Sequence, residues 1–515
     1  MVDVRTDMIG RRGAEYSPAL HLLLLLVWMA LLVVFAGVGH ISADDQMYIA
    51  AAREWLATGS LLPESHWTVR HTVILPIALS FALFGDGEWQ SVLPSTLYAL
   101  GLAWTLYAVM RRYHGATAAL VGTAIFVTTG LFAELGTIIH PDATESLFLL
   151  LGLFLFYEGA VVHGGDNKRL FGAGVLLGLA FVTRETAAAV PLALGVLFLL
   201  GAYTQRWHYF VLGIGFLLPV LIEAGYYMSL GEGPLYRYET VLGSTKAGPT
   251  LEMGGEVHAG TGNVTDNRLI GPFAALLLNN EFMLVFWGAI AAGIALLRAG
   301  TLRRAEEYGF TRLLLIVTAV WVFVEFYAFG LRPLPRYLLI PLITGTFLIG
   351  PWLAGLMATP GRRPVALIVL ALILAANLFA IDLSNKAPRK PERLLAEWAL
   401  SHQEPIYASD EFISRAQNFL RWDGVGADKV LAGPPPPGAL YAVRLVTRGT
   451  GGVQAEASLE PDLHDAEVVD GWDGDRTVTG TVIGLFGLEG VVRGTPLARL
   501  LRYGEPVRLY RLPNE

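Results

Sequence analysis

Long stretches of apolar residues recur along this chain, and they restrict the folds open to it more than any other feature. Examples run from His21 to Val38, from Leu147 to Tyr157 and from Val365 to Ile381. Charged residues make up 16% of the 515 residues, against about 25% in an average soluble protein. The sequence therefore predicts a polytopic α-helical membrane protein and excludes both a soluble single domain and a disordered chain.

Composition also excludes several kinds of function. The formal net charge is -7, whereas a broad nucleic-acid surface needs a basic excess. The chain has no cysteine, which removes disulfides, thiolate nucleophiles, cysteine-zinc sites and iron-sulfur clusters. Its 12 Trp and 19 Tyr suit the two interfaces of a bilayer.

Spans of about 20 residues and the enrichment of Lys and Arg in cytoplasmic loops predict the topology. The first span follows Arg5, Arg11 and Arg12 and has no small-residue cleavage site, so we expect a retained span with a cytoplasmic amino terminus. With about eleven spans, the short loops that carry Arg and Lys all fall on the cytoplasmic side. These spans lie near 20–38, 91–110, 117–137, 145–162, 170–183, 186–203, 209–229, 274–298, 312–331, 337–357 and 364–382.

Two further regions follow from this topology. The first external loop covers 39–71, and the apolar stretch 72–84 is short for a span, so it is expected as an external interfacial or half-buried helix. An odd number of spans places the carboxyl terminus outside. The expected division is a membrane domain over 1–383 and a periplasmic or extracellular α/β domain over 384–515, whose elements are predicted as a helix, a strand, a helix and a strand at 391–400, 405–408, 412–422 and 439–447.

Ionisable side chains cluster at one membrane face. Each is costly beside apolar spans and marks a functional hypothesis. A proton-coupled transporter more often carries them near the midplane, so this distribution favours a polar chamber open to the outside. On the predicted topology the outer positions are Asp44, Asp45, Glu134, His140, Asp142, Glu145, Arg184, Glu223, Glu325, Arg332 and Arg336.

Two acidic pairs stand out, and each has a plainer alternative. Asp44 and Asp45 open an amphipathic helix after the first span, where one of them could simply cap that helix; two acids where one cap suffices favour divided roles. Asp142 and Glu145 begin another helix, where they could form a capping box. His140 could ligate a metal, although one His with several carboxylates does not define a metal site.

Four arginines on the same face could hold a phosphate, because Arg offers bidentate donors and stays protonated. The alternative is contact with lipid headgroups, since long cationic side chains reach towards the interface. These residues are Arg70, Arg184, Arg332 and Arg336.

The order of these features resembles the polyprenyl-phosphate-sugar-dependent glycosyltransferases of the GT-C class, specifically relatives of the protein O-mannosyltransferases and of the aminoarabinose transferase of lipid A. The match covers most of the first 350 residues. It rests on Asp44-Asp45 with Tyr48, Ala52 and Arg53, on Arg70 through Pro76 to Leu83-Phe84-Gly85, on Asp142, on Gly178 to Glu185, and on Pro335-Arg336-Tyr337-Leu338.

The resemblance implies roles for individual residues. Asp44, the first acidic residue of its pair, corresponds to the catalytic carboxylate of the family, and Asp142 to a second acidic residue in the cavity. Arg184 falls where the family often carries a basic residue, suited to the lipid phosphate. The sequence departs from the family at His71-Thr72, where relatives commonly have prolines, and it lacks the His-Pro-Pro signature of the protein mannosyltransferases. Expected acceptor or cavity residues are Tyr48, His71, His140 and Glu145.

Inverting glycosyl transfer is the chemistry that these residues could run. Asp44 would accept the proton of an acceptor hydroxyl, with Asp45 and Asp142 beside it, and a polyprenyl phosphate such as undecaprenyl phosphate would leave. No cofactor is required, although a divalent metal could bind between Asp44 and Asp142, with His140. The expected partners are the lipid-linked donor, a lipid, glycan or protein acceptor, and membrane lipids, in a bacterial inner membrane. The alternatives are a polytopic transporter or lipid flippase and, last, a noncatalytic scaffold.

Overall fold

The structure is a computed structural model of the chain. It describes residues 18–246, 269–279, 281–331, 333–384, 386–448, 452–455, 463, 465–493 and 495–514. Within these ranges, seven helices are long and apolar enough to cross a membrane, which establishes a multi-pass membrane protein. They are Pro18–Ala36, Glu88–Val127, Pro141–Val162, Arg206–Ser229, Glu307–Ala328, Pro335–Met357 and Arg363–Leu383.

The α-helices of the membrane part follow the apolar stretches. Shorter apolar helices lie at His71–Phe84, Glu185–Leu200 and Val285–Arg298. In chain order the α-helices are α1 (Pro18–Ala36), α2 (Asp44–Thr58), α3 (His71–Phe84), α4 (Glu88–Val127), α5 (Gly130–Leu135), α6 (Pro141–Tyr157), α7 (Asn167–Thr183), α8 (Ala189–Leu200), α9 (Arg206–Ser229), α10 (Tyr236–Lys246), α11 (Gly271–Leu278), α12 (Val285–Arg298), α13 (Ala305–Val322), α14 (Leu339–Met357) and α15 (Arg363–Leu383).

Several predicted spans are divided differently in the structure. The spans predicted near 91–110 and 117–137 share α4, which breaks at Gly115, where φ is +84°, a conformation that glycine adopts without steric cost. The span predicted near 274–298 is two helices, α11 and α12, separated where Met283 has φ of +42°. The count of eleven spans stays a prediction.

Close helix packing positions one side of the site. A Cβ at Gly174 would collide with the backbone of Leu212 in α9, and one at Gly178 would collide with Phe216. Glycine at these two positions therefore lets α7 and α9 approach each other closely. Because α7 ends at Thr183, this packing fixes where Arg184 leaves the helix.

The strands that the structure describes all lie after residue 405. The carboxyl-terminal part holds α16 (Lys390–Ser401), α17 (Asp410–Trp422), α18 (Val478–Leu485) and α19 (Glu489–Val492). Its strands are β1 (Ile406–Ala408), β2 (Val430–Ala432), β3 (Leu440–Arg448), β4 (Gly452–Ala455), β5 (Glu467–Trp472), β6 (Asp475–Arg476), β7 (Arg502–Tyr503) and β8 (Val507–Arg511).

A mixed sheet organises this part. Among the described strands the order is β2-β1-β3-β8-β5, with β4 paired to β3 and a separate β6-β7 pair. Strand β1 is parallel to β2 and β3, whereas β8 is antiparallel to β3 and β5. Leu395 of α16 and Phe412 of α17 pack with Leu440 and Leu509 of the sheet. The predicted helices and strands at 391–400, 405–408, 412–422 and 439–447 are present, and the external location of this part stays a prediction.

Candidate functional site

Asp45 is the buried member of the first acidic pair. Its side chain is 0% exposed. One oxygen accepts a hydrogen bond from the Ala43 amide at 2.7 Å, and the other accepts one from the Ile41 amide at 2.6 Å and lies 2.5 Å from His40 Nδ1. Burial alone would raise the pKa of Asp45, but contact with His40 and the two backbone donors outweighs it, so the pKa lies below its ordinary value. Asp45 is therefore an ionised anchor for residues 40–43.

Helix α17 supports this anchor from behind. The Asn418 side-chain amide donates to His40 Nε2 at 3.1 Å, and its oxygen accepts from Arg53 at 2.7 Å. The bond from Arg53 fixes which amide atom faces His40, so His40 Nε2 is an acceptor and its Nδ1 proton is directed to Asp45. Asn418 thus connects the carboxyl-terminal part to the acidic pair, and sequence reasoning missed it.

Two further contacts hold the same loop in place. Ser42 has φ of +51°, a conformation that L-residues rarely adopt, and its hydroxyl donates to the Arg415 carbonyl of α17 at 2.7 Å. The Arg389 guanidinium donates to the Ile41 carbonyl. Residues 389–418 therefore shape the turn on which the acidic pair is presented.

Asp44 has different surroundings from its neighbour. It is partly exposed at the first position of α2, and no residue that the structure describes forms a hydrogen bond or an ion pair with its carboxylate. The residue before it, Ala43, supplies no side-chain cap to α2. Since neither acid caps α2 by a side-chain bond to the helix, the capping alternative is wrong, and Asp44 presents a free carboxylate to the chamber.

Tyr48 and Arg70 form a buried pair one helical turn from Asp44. Tyr48 is fully buried, and its hydroxyl accepts a hydrogen bond from Arg70. The pKa of Tyr48 is raised to about 12, mainly by burial and in part by Asp44, with Arg70 and Arg184 opposing the rise. Asp44, Arg70 and Arg184 are therefore all close enough to act electrostatically on one phenol.

The second acidic pair is likewise not a capping box. His140 precedes α6 and gives no side-chain cap, while Asp142 contacts His140 and forms an ion pair with Arg184. Glu145 accepts a hydrogen bond from the Thr186 hydroxyl at 2.6 Å and lies 4.0 Å from Arg184. The capping-box alternative is wrong because both carboxylates contact the segment that follows α7, Asp142 through Arg184 and Glu145 through Thr186.

Arg336, which lies just before α14, also contacts this group of His140, Asp142 and Arg184. It donates to His140 Nε2 at 3.0 Å, which leaves the Nδ1 proton of His140 for Asp142. The guanidinium of Arg184 lies 4.6 Å from the ring centre of Tyr337, and that of Arg336 lies 5.5 Å away. Both are cation–π distances, so the ring of Tyr337 contributes to holding both cations in place.

The structure brings three of the four predicted arginines to one chamber. Asp44, Asp142 and Arg184 all act electrostatically on Arg336, and Arg70 reaches the chamber through Tyr48. Arg332 lies outside the described residues. Within the described ranges, Arg184 pairs with a carboxylate, whereas Arg70 and Arg336 do not, and each leaves a buried Nε without a partner. Two uncompensated guanidinium groups favour the binding of an anion there.

His71 lies beside this chamber in a different environment. Its Nδ1 is 3.3 Å from Glu223, which also accepts from Arg237 at 2.9 Å. Arg237 is buried, pairs with Glu185 at 2.6 Å and donates to the Val69 carbonyl at 3.1 Å. It belongs to α10, which lies in the loop between the spans predicted near 209–229 and 274–298. Arg237 is therefore a structural residue, which ties the first loop to α9.

A cavity of about 590 Å³ extends from His71 into the apolar part of the molecule. Its polar end carries Glu223 and Thr72, whose hydroxyl donates to Thr183 at 2.8 Å, next to Arg184. The rest of the wall is apolar and aromatic, and includes Trp55, Leu75, Pro76, Tyr98, Phe148, Val175, Leu179, Val182, Leu218, Pro219, Ile222 and Tyr226.

Two of the three predicted metal ligands, Asp142 and His140, face other partners. In the described part of the chain no three His, Asp or Glu side chains are placed to share a metal ion. The carboxylate of Asp142 already faces Arg184 and His140. A cation between Asp44 and Asp142 would therefore compete with a guanidinium, and these residues do not fit a resident divalent metal.

A family model identifies part of this architecture. Residues 73–222 match the family described as dolichyl-phosphate-mannose-protein mannosyltransferase. That segment runs from α3 to α9 and includes His140, Asp142, Glu145 and Arg184, but not the first acidic pair.

Relatives in sequence cover the same kind of segment. YycA of Bacillus subtilis, provisionally assigned as a mannosyltransferase, is 28% identical over 186 residues, which are 34% of this chain and 27% of that protein. An undecaprenyl phosphate-alpha-4-amino-4-deoxy-L-arabinose arabinosyl transferase of Enterobacter sp. (strain 638) is 28% identical over 200 residues, 36% of this chain and 34% of that protein. The chain thus matches about a third or less of the length of these relatives.

Solved structures show the fold. ArnT from Cupriavidus metallidurans bound to undecaprenyl phosphate has a TM-score of 0.50 at 15% identity, covering 84% of this chain and 97% of ArnT. An oligosaccharyltransferase of Archaeoglobus fulgidus has a TM-score of 0.52 at 12% identity, covering 78% of this chain and 61% of that one. The family model and the relatives in sequence, together with this shared fold, confirm the resemblance to the GT-C glycosyltransferases that the sequence predicts.

Proposed function

We propose that this protein transfers a sugar from a polyprenyl-phosphate donor to an acceptor hydroxyl at the outer face of the membrane, with inversion at the anomeric carbon. Asp44 is the general base. The observation that carries the proposal is that one chamber brings together Asp44, Arg70 and Arg336. Among the described residues, the carboxylate of Asp44 has no partner and neither guanidinium group pairs with a carboxylate.

The proton balance requires a free carboxylate. The acceptor oxygen attacks the anomeric carbon while its proton passes to Asp44, and the bond between that carbon and the phosphate oxygen breaks with its electron pair on the phosphate. Asp45 and Asp142 suit this step less well, because His40 and backbone amides occupy the first and Arg184 and His140 the second. We therefore assign Asp45 a positioning role and Asp142 the orientation of Arg184.

The leaving phosphate requires positive charge. Arg70 and Arg336 are fixed by Tyr48 and His140 respectively, and neither pairs with a carboxylate among the residues described. Fixed cations stabilise charge that develops in the transition state without reorganising. Phosphate is a good leaving group at neutral pH, so no acid needs to protonate it.

The cavity beside His71 supports a lipid-linked donor. It is walled by apolar residues of the membrane helices, and its polar end adjoins Arg184 through the hydrogen bond between Thr72 and Thr183. A polyprenyl tail could lie there with its phosphate toward the arginines. The ArnT that shares this fold was solved with undecaprenyl phosphate, and one archaeal oligosaccharyltransferase with an inhibitory peptide and dolichol-phosphate. Lipid and peptide acceptors are both compatible with the proposal.

The test is mass spectrometry of lipid extracts from cells that make the intact protein, Asp44→Asn or Glu54→Gln. Glu54 is exposed on the same helix and provides a matched control. We expect a polyprenyl-phosphate sugar to accumulate only with Asp44→Asn, at a normal protein level. Unchanged lipid pools in all three strains would refute the assignment of Asp44 as the base.

A transport function predicts a different result. A transporter or lipid flippase moves its cargo without using a base, so Asp44→Asn would carry a labelled lipid-linked sugar across vesicles at the normal rate. We expect the intact protein to consume the label into a glycosylated acceptor instead. Translocation without any product would support the transporter.

A further inference from the structure

Residues 478–492, which we call the apolar ledge, expose an unusual concentration of apolar side chains. They form α18, a short turn and α19, and the ledge contains one charged residue, Glu489. Leu485 is 81% exposed and Phe486 is 75% exposed. The large apolar side chains of the ledge that face outward are Val478, Val482, Leu485, Phe486, Leu488 and Val491.

Such a surface is rare on a domain surrounded by water. Contiguous exposed apolar patches of this kind mark a partner or a membrane. The single charge does not interrupt the patch, because Glu489 forms ion pairs with Arg476 and with Arg493, both outside the ledge. The ledge therefore presents a face without a free charge.

The ledge is attached to the end of a membrane helix. Asp382, one residue before α15 ends, accepts hydrogen bonds from the amides of Val478 and Thr479, both at 2.8 Å, and from the Thr479 hydroxyl at 2.7 Å. Asp382 thus places a carboxylate at the amino terminus of α18, a favourable position relative to the helix dipole.

This attachment fixes the depth of the ledge. Helix α15 has 21 residues, about 31 Å at the usual rise, which is close to the thickness of the hydrocarbon core. Its outward face is apolar along its length, with Val365, Ile368, Leu372, Leu378 and Phe379 exposed. Because α18 begins within hydrogen-bond distance of Asp382, it lies where α15 leaves the lipid.

We propose that the apolar ledge inserts into the membrane interface beside the end of α15, as a monotopic contact of the carboxyl-terminal part with the lipid. The occupant of the exposed face is the bilayer itself, because the ledge begins at the end of a helix whose exposed side chains are apolar along its length. Amphipathic segments bury their apolar side chains at the boundary of headgroups and acyl chains in this way. The contact would hold the sheet, and with it α17, at a fixed height above the membrane helices. This inference does not depend on the proposed reaction.

The absence of cysteine permits a clean test. A single cysteine carrying an environment-sensitive fluorophore is introduced by Phe486→Cys in the full chain, reconstituted in phosphatidylcholine vesicles that contain brominated lipid. Leu378→Cys on the lipid-facing side of α15 is the positive control, and Asp428→Cys on an exposed polar loop is the negative control.

We expect the label at 486 to be quenched by brominated lipid to within about twofold of the label at 378, and the label at 428 to be unaffected. Quenching at 486 no greater than at 428, together with ready quenching by aqueous iodide, would overturn the proposal. Protection of the label at 486 from both quenchers would also overturn it, because it would show that a second protein copy covers the ledge.

Discussion

The substitution Asp45→Asn, which replaces one carboxylate oxygen by an NH2 group, tests whether Asp45 has a structural role that Asp44 lacks. The wild-type carboxylate is fully buried and accepts two backbone hydrogen bonds, at 2.6 and 2.7 Å, beside His40. An asparagine keeps the shape but must direct its amide hydrogens at one of these donors. A buried donor left without its acceptor costs about 1–3 kcal/mol, and more where the lost partner was charged, so we expect a clear loss of stability.

The assay is thermal unfolding in detergent, followed by sugar transfer measured at a temperature at which both variants are folded. Asp45→Asn is expected to unfold at a lower temperature and to lose activity in part, because the loop that carries Asp44 is loosened. Asp44→Asn is expected to unfold like the wild type and to lose transfer completely, because its carboxylate has no partner among the described residues. Equal stability of wild type and Asp45→Asn would refute the reasoning.

The same variant has a pH dependence with a definite sign. The pKa of Asp45 is lower in the folded protein than in the unfolded chain, so its contribution to stability is complete above about pH 4 and is lost as the pH falls through the folded value. The stability difference between wild type and Asp45→Asn should therefore be largest at neutral pH and shrink in acid. A difference that grew below pH 4 would contradict the ionised state of Asp45.

The remaining predictions concern the support of the acidic pair and the phosphate site. Asn418→Ala should lower kcat while leaving KM for the donor unchanged, because it releases His40 and Arg53 without touching Arg70, Arg184 or Arg336. Glu411→Ala, exposed on the same helix, should change neither. A raised KM would contradict a positioning role. Arg336→Gln should raise KM for the donor by about 10- to 100-fold, which corresponds to the loss of one hydrogen bond to a charged group. Arg336→Lys should restore part of the affinity. Arg362 is exposed, and Arg362→Gln should behave as wild type. An unchanged KM in a folded Arg336→Gln protein would remove Arg336 from the phosphate site.

The sequence predicts the membrane helices well where apolar runs are long, because the length and the apolar character of a run, which decide its burial in lipid, can both be read from the sequence. It predicts the bounds less well where backbone conformation decides. The break at Gly115 and the division near Met283 depend on single φ values, and α10 lies in a stretch predicted as a loop. Helix α10 is held by Arg237, whose partners Glu223 and Glu185 come from other elements.

The candidate site shows the same limit. The sequence identifies Asp44 and Asp45 as a pair, but both are aspartates at the start of one helix, and only their surroundings distinguish them. Those surroundings include Asn418, which lies 365 positions from its partner Arg53. The sequence around Asn418 or Arg53 does not indicate that the two residues are in contact. The proximity of Asp142 and Arg184, in contrast, could be expected because the sequence places both motifs at the same membrane face.

The contact between Asn418 and Arg53 also has a consequence for biosynthesis. A ribosome adds about 5–20 residues per second, so some 20–70 s separate the emergence of the first loop from that of its support in α17. The membrane helices are synthesised during that interval, and until it ends the turn around Ser42 lacks its contacts with α17. In the proposed reaction, a nascent or truncated chain would therefore be inserted in the bilayer but inactive, and the lipid-linked donor would not be consumed until synthesis is nearly finished.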